Sequence, residues 1–162
     1  MALGARAFIG CRAVATAKEI MNDRPLTTRP DVRVSELARQ LLDAGADGAC
    51  VIDDGNLVGV VTEMDLIFKE KQVHVPSFIT IMDAVIPLEL PSKLKAEFDK
   101  IAGLTVADIM SREPTTVTPD TAASKVAALM VEHGYSIVPV LDGDLLIGAV
   151  TRAGLLRSAY PG

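Results

Sequence analysis

In the run GVVTEMD, residues 59–65, Thr62 and Asp65 stand three positions apart where an apolar stretch gives way to a helical pattern. The start of a helix presents unpaired N–H groups and positive potential, which suit a phosphate. The Thr62 hydroxyl can donate to a phosphate oxygen. Asp65, one turn in, can accept from both hydroxyls of a ribose, because an ionised carboxylate is a fork of acceptors. The same spacing is a capping-box pattern, and helix capping alone also accounts for both residues. Residues 148–154, GAVTRAG, repeat the pattern as far as Thr151 but end on Gly154, which has no carboxylate.

No catalytic constellation accompanies these residues. His74 and His133 are not near a Ser or Cys in any nucleophile motif, and His133 falls at a helix C-terminus, where an imidazolium suits the dipole. Phosphate-cradling glycine loops of the Walker A and G-x-G-x-x-G types are absent. Cys11 and Cys50 lack Cys or His neighbours at metal-ligand spacing, and Cys50 sits in the strand-like run ACVID as a small hydrophobe. Asp53, Asp54 and Glu63 read as turn and cap chemistry rather than a metal cluster. The expectation is a binding protein, not an enzyme, with no cofactor and no metal.

These motifs belong to an internal repeat. Setting residues 17–67 over residues 106–156, a constant offset of 89, makes about a third of the positions identical without a gap. Thr16 with Glu19 and Thr105 with Asp108 form capping boxes that open short helices ending at Met21 and Met110. Pro25 and Pro114 break those helices and lead into the extended runs LTT and TTV, and Pro30-Asp31 and Pro119-Asp120 turn the chain. A helical pattern then runs to Gly45 or Gly134, the expected left-handed stop. Two strands follow around Asp54-Gly55 in one copy and Gly143-Asp144 in the other, and a closing helix begins near Thr62 or Thr151. Each copy thus reads β-α-β-β-α with a short leading helix. The division is an N-terminal extension at 1–15, a first repeat at 16–69, a structured linker at 70–103 and a second repeat at 104–162. In the linker, residues 75–87 are apolar enough to be buried, and a helix runs from a cap at Ser92 to Gly103.

Composition bounds the remaining classes. The 162 residues are 49% apolar but only 4% aromatic, which suits closely packed Ala, Val, Leu and Ile in mixed α/β elements. A net charge of −5 opposes a nucleic-acid partner, which needs a basic surface, and opposes a polybasic membrane anchor. No apolar run has the ~18–20 residues of a membrane-spanning helix. A soluble, cytoplasmic protein with reduced thiols is expected.

The repeat resembles the cystathionine-β-synthase (CBS) domain family, which has the same element order, a hydrophobic-Pro-hydrophobic second strand and a closing G-h-x-[ST]-x-x-D motif, h being apolar. Val138-Pro139-Val140 matches the strand signature, whereas Ala49-Cys50-Val51 has Cys for Pro. Residues 59–65 match the closing motif in full, and Gly154 replaces its acid in the second copy. The resemblance covers nearly everything from Thr16 to Ser158. It implies an α+β CBS pair, two repeats packed through their sheets about a pseudo-twofold axis. Two clefts between them would take an adenosine-containing ligand: AMP, ADP, ATP or S-adenosylmethionine. It further implies that Thr62 and Asp65 face Pro114, Thr115 and the segment Tyr135-Ser136-Ile137 of the other repeat, with Val60 and Ile137 covering the base. In the second cleft Thr151 remains, Gly154 offers nothing to a ribose, and Asp47 stands where Ser136 stands in the first, so that cleft is expected to be the weaker. The function implied is a ligand-sensing regulator of an unidentified protein reached in trans. The alternative is a ligand-free scaffold that serves dimerisation or partner binding. A homodimer is expected as well, because residues 126–131 are apolar without interruption, whereas the counterpart helix keeps Glu36, Arg39, Gln40 and Asp43.

Overall fold

A computed structural model describes residues 15–70 and 103–160 of the chain. The N-terminal extension and nearly all of the linker, with its expected helix, lie outside the described residues. The first copy runs α1 (Ala17–Ile20), β1 (Thr27–Thr28), α2 (Val34–Ala44), β2 (Gly48–Asp53), β3 (Asn56–Thr62) and α3 (Glu63–Glu70). The second runs α4 (Val106–Ile109), β4 (Ser111–Arg112), α5 (Ala123–His133), β5 (Ile137–Asp142), β6 (Leu145–Thr151) and α6 (Arg152–Ala159). This is the mixed α+β architecture expected of a CBS pair.

Local sequence accounts for the element ends. The carboxylate of Glu19 accepts from the Thr16 backbone N–H at 2.8 Å, and that of Asp108 accepts from the Thr105 N–H at 2.8 Å, so both leading helices are capped alike. Helices α2 and α5 stop where Gly45 and Gly134 take φ of 58° and 69°, a left-handed conformation that glycine adopts without a Cβ penalty.

The leading helices are exchanged between the copies. Ala17 N–H donates to Thr121 O at 2.7 Å and Lys18 N–H to Pro119 O at 3.0 Å, so α1 docks on the second copy. Reciprocally, Val106 N–H donates to Val32 O and Ala107 N–H to Pro30 O, each at 2.9 Å, so α4 docks on the first. Ser111 and Arg112 then extend the first sheet, which has the order β1-β2-β3-β4, through antiparallel pairing with Val60 and Gly59. Asn22 makes the equivalent bridge to Ala149 beside the β5-β6 hairpin. Each core is therefore composite. Ala17 and Ile20 pack with Val126, Met130, Val138, Val140 and Val150, while Val106 and Ile109 pack with Leu37, Leu41, Val51 and Val61. Burying Ile20 and Ile109 contributes roughly 1.5–3 kcal/mol each. A third cluster, Cys50, Ile137 and Ala149 with Val60, Leu57 and Leu146 against it, joins the two hairpins.

One strand differs from expectation. LTT yields β1, parallel to β2, but TTV yields only a single bridge between Val117 and Val140. The cause is Pro139. In the first copy Cys50 N–H donates to Leu26 O at 2.9 Å, and the residue at that place in the second copy has no N–H to give. The sulfur that replaces the ring is wholly buried, and desolvation pushes the Cys50 thiol up to about 12, leaving it protonated and inert as a nucleophile.

Thr28 occupies the place of the buried Val117 and is itself only 6% exposed, yet its Oγ1 has no hydrogen-bond partner among the described residues. A buried hydroxyl without a partner costs about 1–3 kcal/mol, and Val has the same shape. Thr28→Val should raise the stability measured by urea denaturation by about 1 kcal/mol or more. A lower midpoint would show that the hydroxyl is satisfied in solution.

Candidate functional site

The strand ends that carry the closing motifs converge at the junction of the hairpins. A Cβ placed on Gly48 would meet Ile137 Cγ2 and Thr62 Cγ2 at 3.3 Å each, and Val61 O at 2.9 Å. Glycine at 48 is thus what lets Ile137 of the second copy reach Thr62 of the first. Val60 packs on the cluster of Cys50, Ile137 and Ala149 to which Ile137 belongs. Of the residues expected to line the first cleft, Val60, Thr62 and Ile137 are brought together. Ile137 is only 5% exposed, so most of its surface is given to the hairpin contact.

At the start of α3, Asp65 Oδ2 accepts from the Thr62 backbone N–H at 2.7 Å and from its hydroxyl at 3.0 Å. The carboxylate half of a capping box is therefore formed. It uses one carboxylate oxygen and leaves Oδ1 without a partner among the described residues. Capping and ligand contact are compatible at this residue, although the fork expected for two ribose hydroxyls is half taken.

Pro114, Thr115, Tyr135 and Ser136 lie on the second copy, before β5 and beside it. Thr115 Oγ1 and Tyr135 Oη share a hydrogen bond of 3.0 Å, and the Tyr135 ring stacks on His133 with centroids 5.2 Å apart. Among the described residues, no hydrogen bond joins Asp65 to this group. Sequence reasoning missed one residue here. Arg152, which reads as a solvated surface cation, donates from its guanidinium to Gly134 O at 3.1 Å and to Tyr135 O at 3.3 Å. The signal was in the repeat, because the place of Arg152 in the first copy is held by Glu63, an acceptor that cannot make these bonds.

The second cleft is built differently. Thr151 Oγ1 accepts from Gly154 N–H at 3.1 Å and caps α6. Asp47 is half-buried, and its carbonyl accepts from Glu63 N–H at 3.1 Å. Gly154 has a packing reason as well. A Cβ there would stand 2.9 Å from Ile20 O, the last carbonyl of the docked α1.

A groove of about 690 Å³ opens at the other end of the first hairpin, lined by Thr27, Thr28, Arg29, Gln40 and the turn at Asp53, and it shares no residue with either cleft. Among the described residues no group of three or more His, Cys, Asp or Glu could hold a metal ion, and no helix is long and apolar enough to cross a membrane.

Two related hairpins packed together define a tandem repeat module, and the chain belongs to the CBS domain family, which matches residues 17–71 and 106–160. It is 29% identical over 151 residues to MJ1426 of Methanocaldococcus jannaschii, covering 87% of this chain and 89% of that one. It is 28% identical over 137 residues to the chloroplastic CBSX2 of Arabidopsis thaliana, of which it spans 57%. The solved structure of CBSX2 in complex with AMP superposes with a TM-score of 0.66 at 27% identity, over 89% of this chain and 95% of that one. The CBS pair of MJ0100, solved with 5'-methylthioadenosine and S-adenosyl-L-methionine, shares the fold at a TM-score of 0.67 and 23% identity, over 89% of this chain and 94% of that one.

The contact at Gly154 gives a prediction opposite to helix propensity, which favours Ala over Gly by about 0.5–1 kcal/mol. Gly154→Ala should instead destabilise the protein by about 1–3 kcal/mol, because α1 must shift from its seat. Thermal melting measures it, and an increase in Tm would show that α1 yields at no cost.

Proposed function

We propose that the protein is a cytoplasmic regulatory module, not a catalyst, that binds an adenine nucleotide in the cleft carrying Thr62 and Asp65 and alters a partner protein in trans. The observation that carries this reading is the start of α3. There Thr62 and Asp65 cap the helix through one carboxylate oxygen and leave the other to accept from a ribose, at a helix end suited to phosphate. Charge supports the same cleft over its counterpart. Its wall carries Ser136 and the Arg152 guanidinium, where the second cleft has Asp47 and no such cation. A phosphate beside a carboxylate is costly. The expected stoichiometry is one nucleotide per chain. The binding of AMP by CBSX2 favours AMP, with ADP, ATP and S-adenosylmethionine as the other ligands to compare.

The competing reading is a ligand-free scaffold, supported by the fact that capping alone occupies Asp65 Oδ2. Asp65→Ala separates the two. Hydrogen bonds to a charged group are worth about 1.5–3 kcal/mol, so AMP affinity by isothermal titration should fall about tenfold or more. Unchanged affinity would remove Asp65 from the site, and a wild-type protein that binds none of the four ligands would favour the scaffold.

The module is further proposed to be a homodimer formed through α2 and α5. Leu42 and Val131 hold equivalent places near the ends of these helices and are 82% and 75% exposed, a matched pair of apolar positions on one related surface. Replacing both with Asp should convert the dimer to a monomer at micromolar concentration, as read by light scattering. A wild-type protein that is already monomeric there would end this part of the proposal.

A further inference from the structure

We propose that Arg152 is a positioning residue for the cleft that carries Asp65, although it belongs to the closing motif of the other cleft. The inference rests on the proposed nucleotide site and adds to it the device that shapes one wall. Arg152 is the first residue of α6 and directly follows Thr151. Its guanidinium reaches back across the hairpin and donates to both Gly134 O and Tyr135 O, at 3.1 and 3.3 Å. These carbonyls belong to the turn between α5 and β5, from which Tyr135, Ser136 and Ile137 run into the cleft wall. A planar fork of fixed donors can hold two successive carbonyls in one orientation, which an ammonium on a flexible stem cannot.

Tyr135 is held at three points. Its carbonyl accepts from Arg152, its ring stacks on His133, and its hydroxyl bonds Thr115 Oγ1, another residue of the same wall. At the equivalent places the first copy has Ala46, Glu63, Ala44 and Leu26, which supply no guanidinium donor, no aromatic ring and no hydroxyl for these contacts. The wall of the Asp65 cleft is thus preorganised in a way that the wall of the second cleft is not, and preorganisation lowers the ordering cost of binding. Because Arg152 also sits at the N-terminal turn of α6, a change at the Thr151 end of the second cleft moves the same residue that holds the first.

Two variants and two measurements test this. Arg152→Met removes the donors and the charge; Arg152→Lys keeps the charge but loses the fork. In the unliganded protein, hydrogen exchange across residues 134–137, relative to the middle of α5, should rise in both variants. AMP affinity should fall in both by on the order of tenfold, with the ligand still one per chain. If Arg152→Lys restores wild-type affinity and exchange, Arg152 acts through its charge and the positioning role is rejected. If melting falls while relative exchange and affinity stay unchanged, Arg152 is only a cap for α5 and the proposal is again rejected. Should the wild-type protein bind no adenine nucleotide, the proposed function fails, and the exchange comparison alone still decides whether Arg152 holds this wall.

Discussion

The close passage of one backbone over another at two glycines underlies the rest of the architecture. Ser111 O and Met110 Sδ lie 2.8 and 2.9 Å from where a Cβ of Gly59 would be, and Asn22 O and Met21 lie equally tightly over Gly148. Any side chain at either position would push away the segment that carries α4 or α1. Those segments bring Val106, Ile109, Ala17 and Ile20 into cores to which the nearby sequence does not belong. The glycine of the closing motif therefore serves docking, and the threonine and acid that follow serve the helix start. Within seven residues the motif combines a packing requirement with a polar one.

The residues of the two candidate clefts follow one pattern but differ in charge. Glu63 and Arg152 are equivalent positions of opposite sign, and the acid Asp47 stands at the place of the neutral Ser136. Gly154 shows how packing and chemistry are linked. The space a ribose-binding acid would need at its Cβ is already taken by Ile20 O, so the position that lacks the carboxylate is one over which the α1 backbone passes. A single-residue restoration of the acid there has to contend with backbone, not merely with solvent.

Most of the element order was legible because it rests on local signals. Capping pairs, Gly stops, Pro breaks and alternating apolar runs each state their own geometry, and the offset of 89 residues doubled every signal. The exchange of α1 and α4 was not legible, since no local pattern records which copy a short helix packs against. The β4 pairing was missed for the same reason: Ser111 and Arg112 are polar and exposed, and only the partner strand makes them a strand. The loss of a second-copy β1 was readable in principle from Pro139, whose missing N–H removes a ladder bond. For the candidate site, the motif and its resemblance pointed to Thr62, Val60 and Ile137, whose part in binding stands as a proposal. Arg152 escaped because its partners are backbone carbonyls, which every sequence contains and none announces.

The exchanged helices also bear on how the chain is made. The surface that receives residues 17–20, around Pro119, Thr121 and Ala149, is synthesised more than a hundred residues after them. The first copy in turn lacks Val106 and Ile109 until the chain has run well past its own closing helix. Neither half can close its core alone during synthesis, so apolar surface stays open on the nascent chain until the second hairpin appears. Contacts so distant in sequence slow folding and tie both halves into a single cooperative transition. The crossing of two four-residue helices thus sets how long that apolar surface stays uncovered.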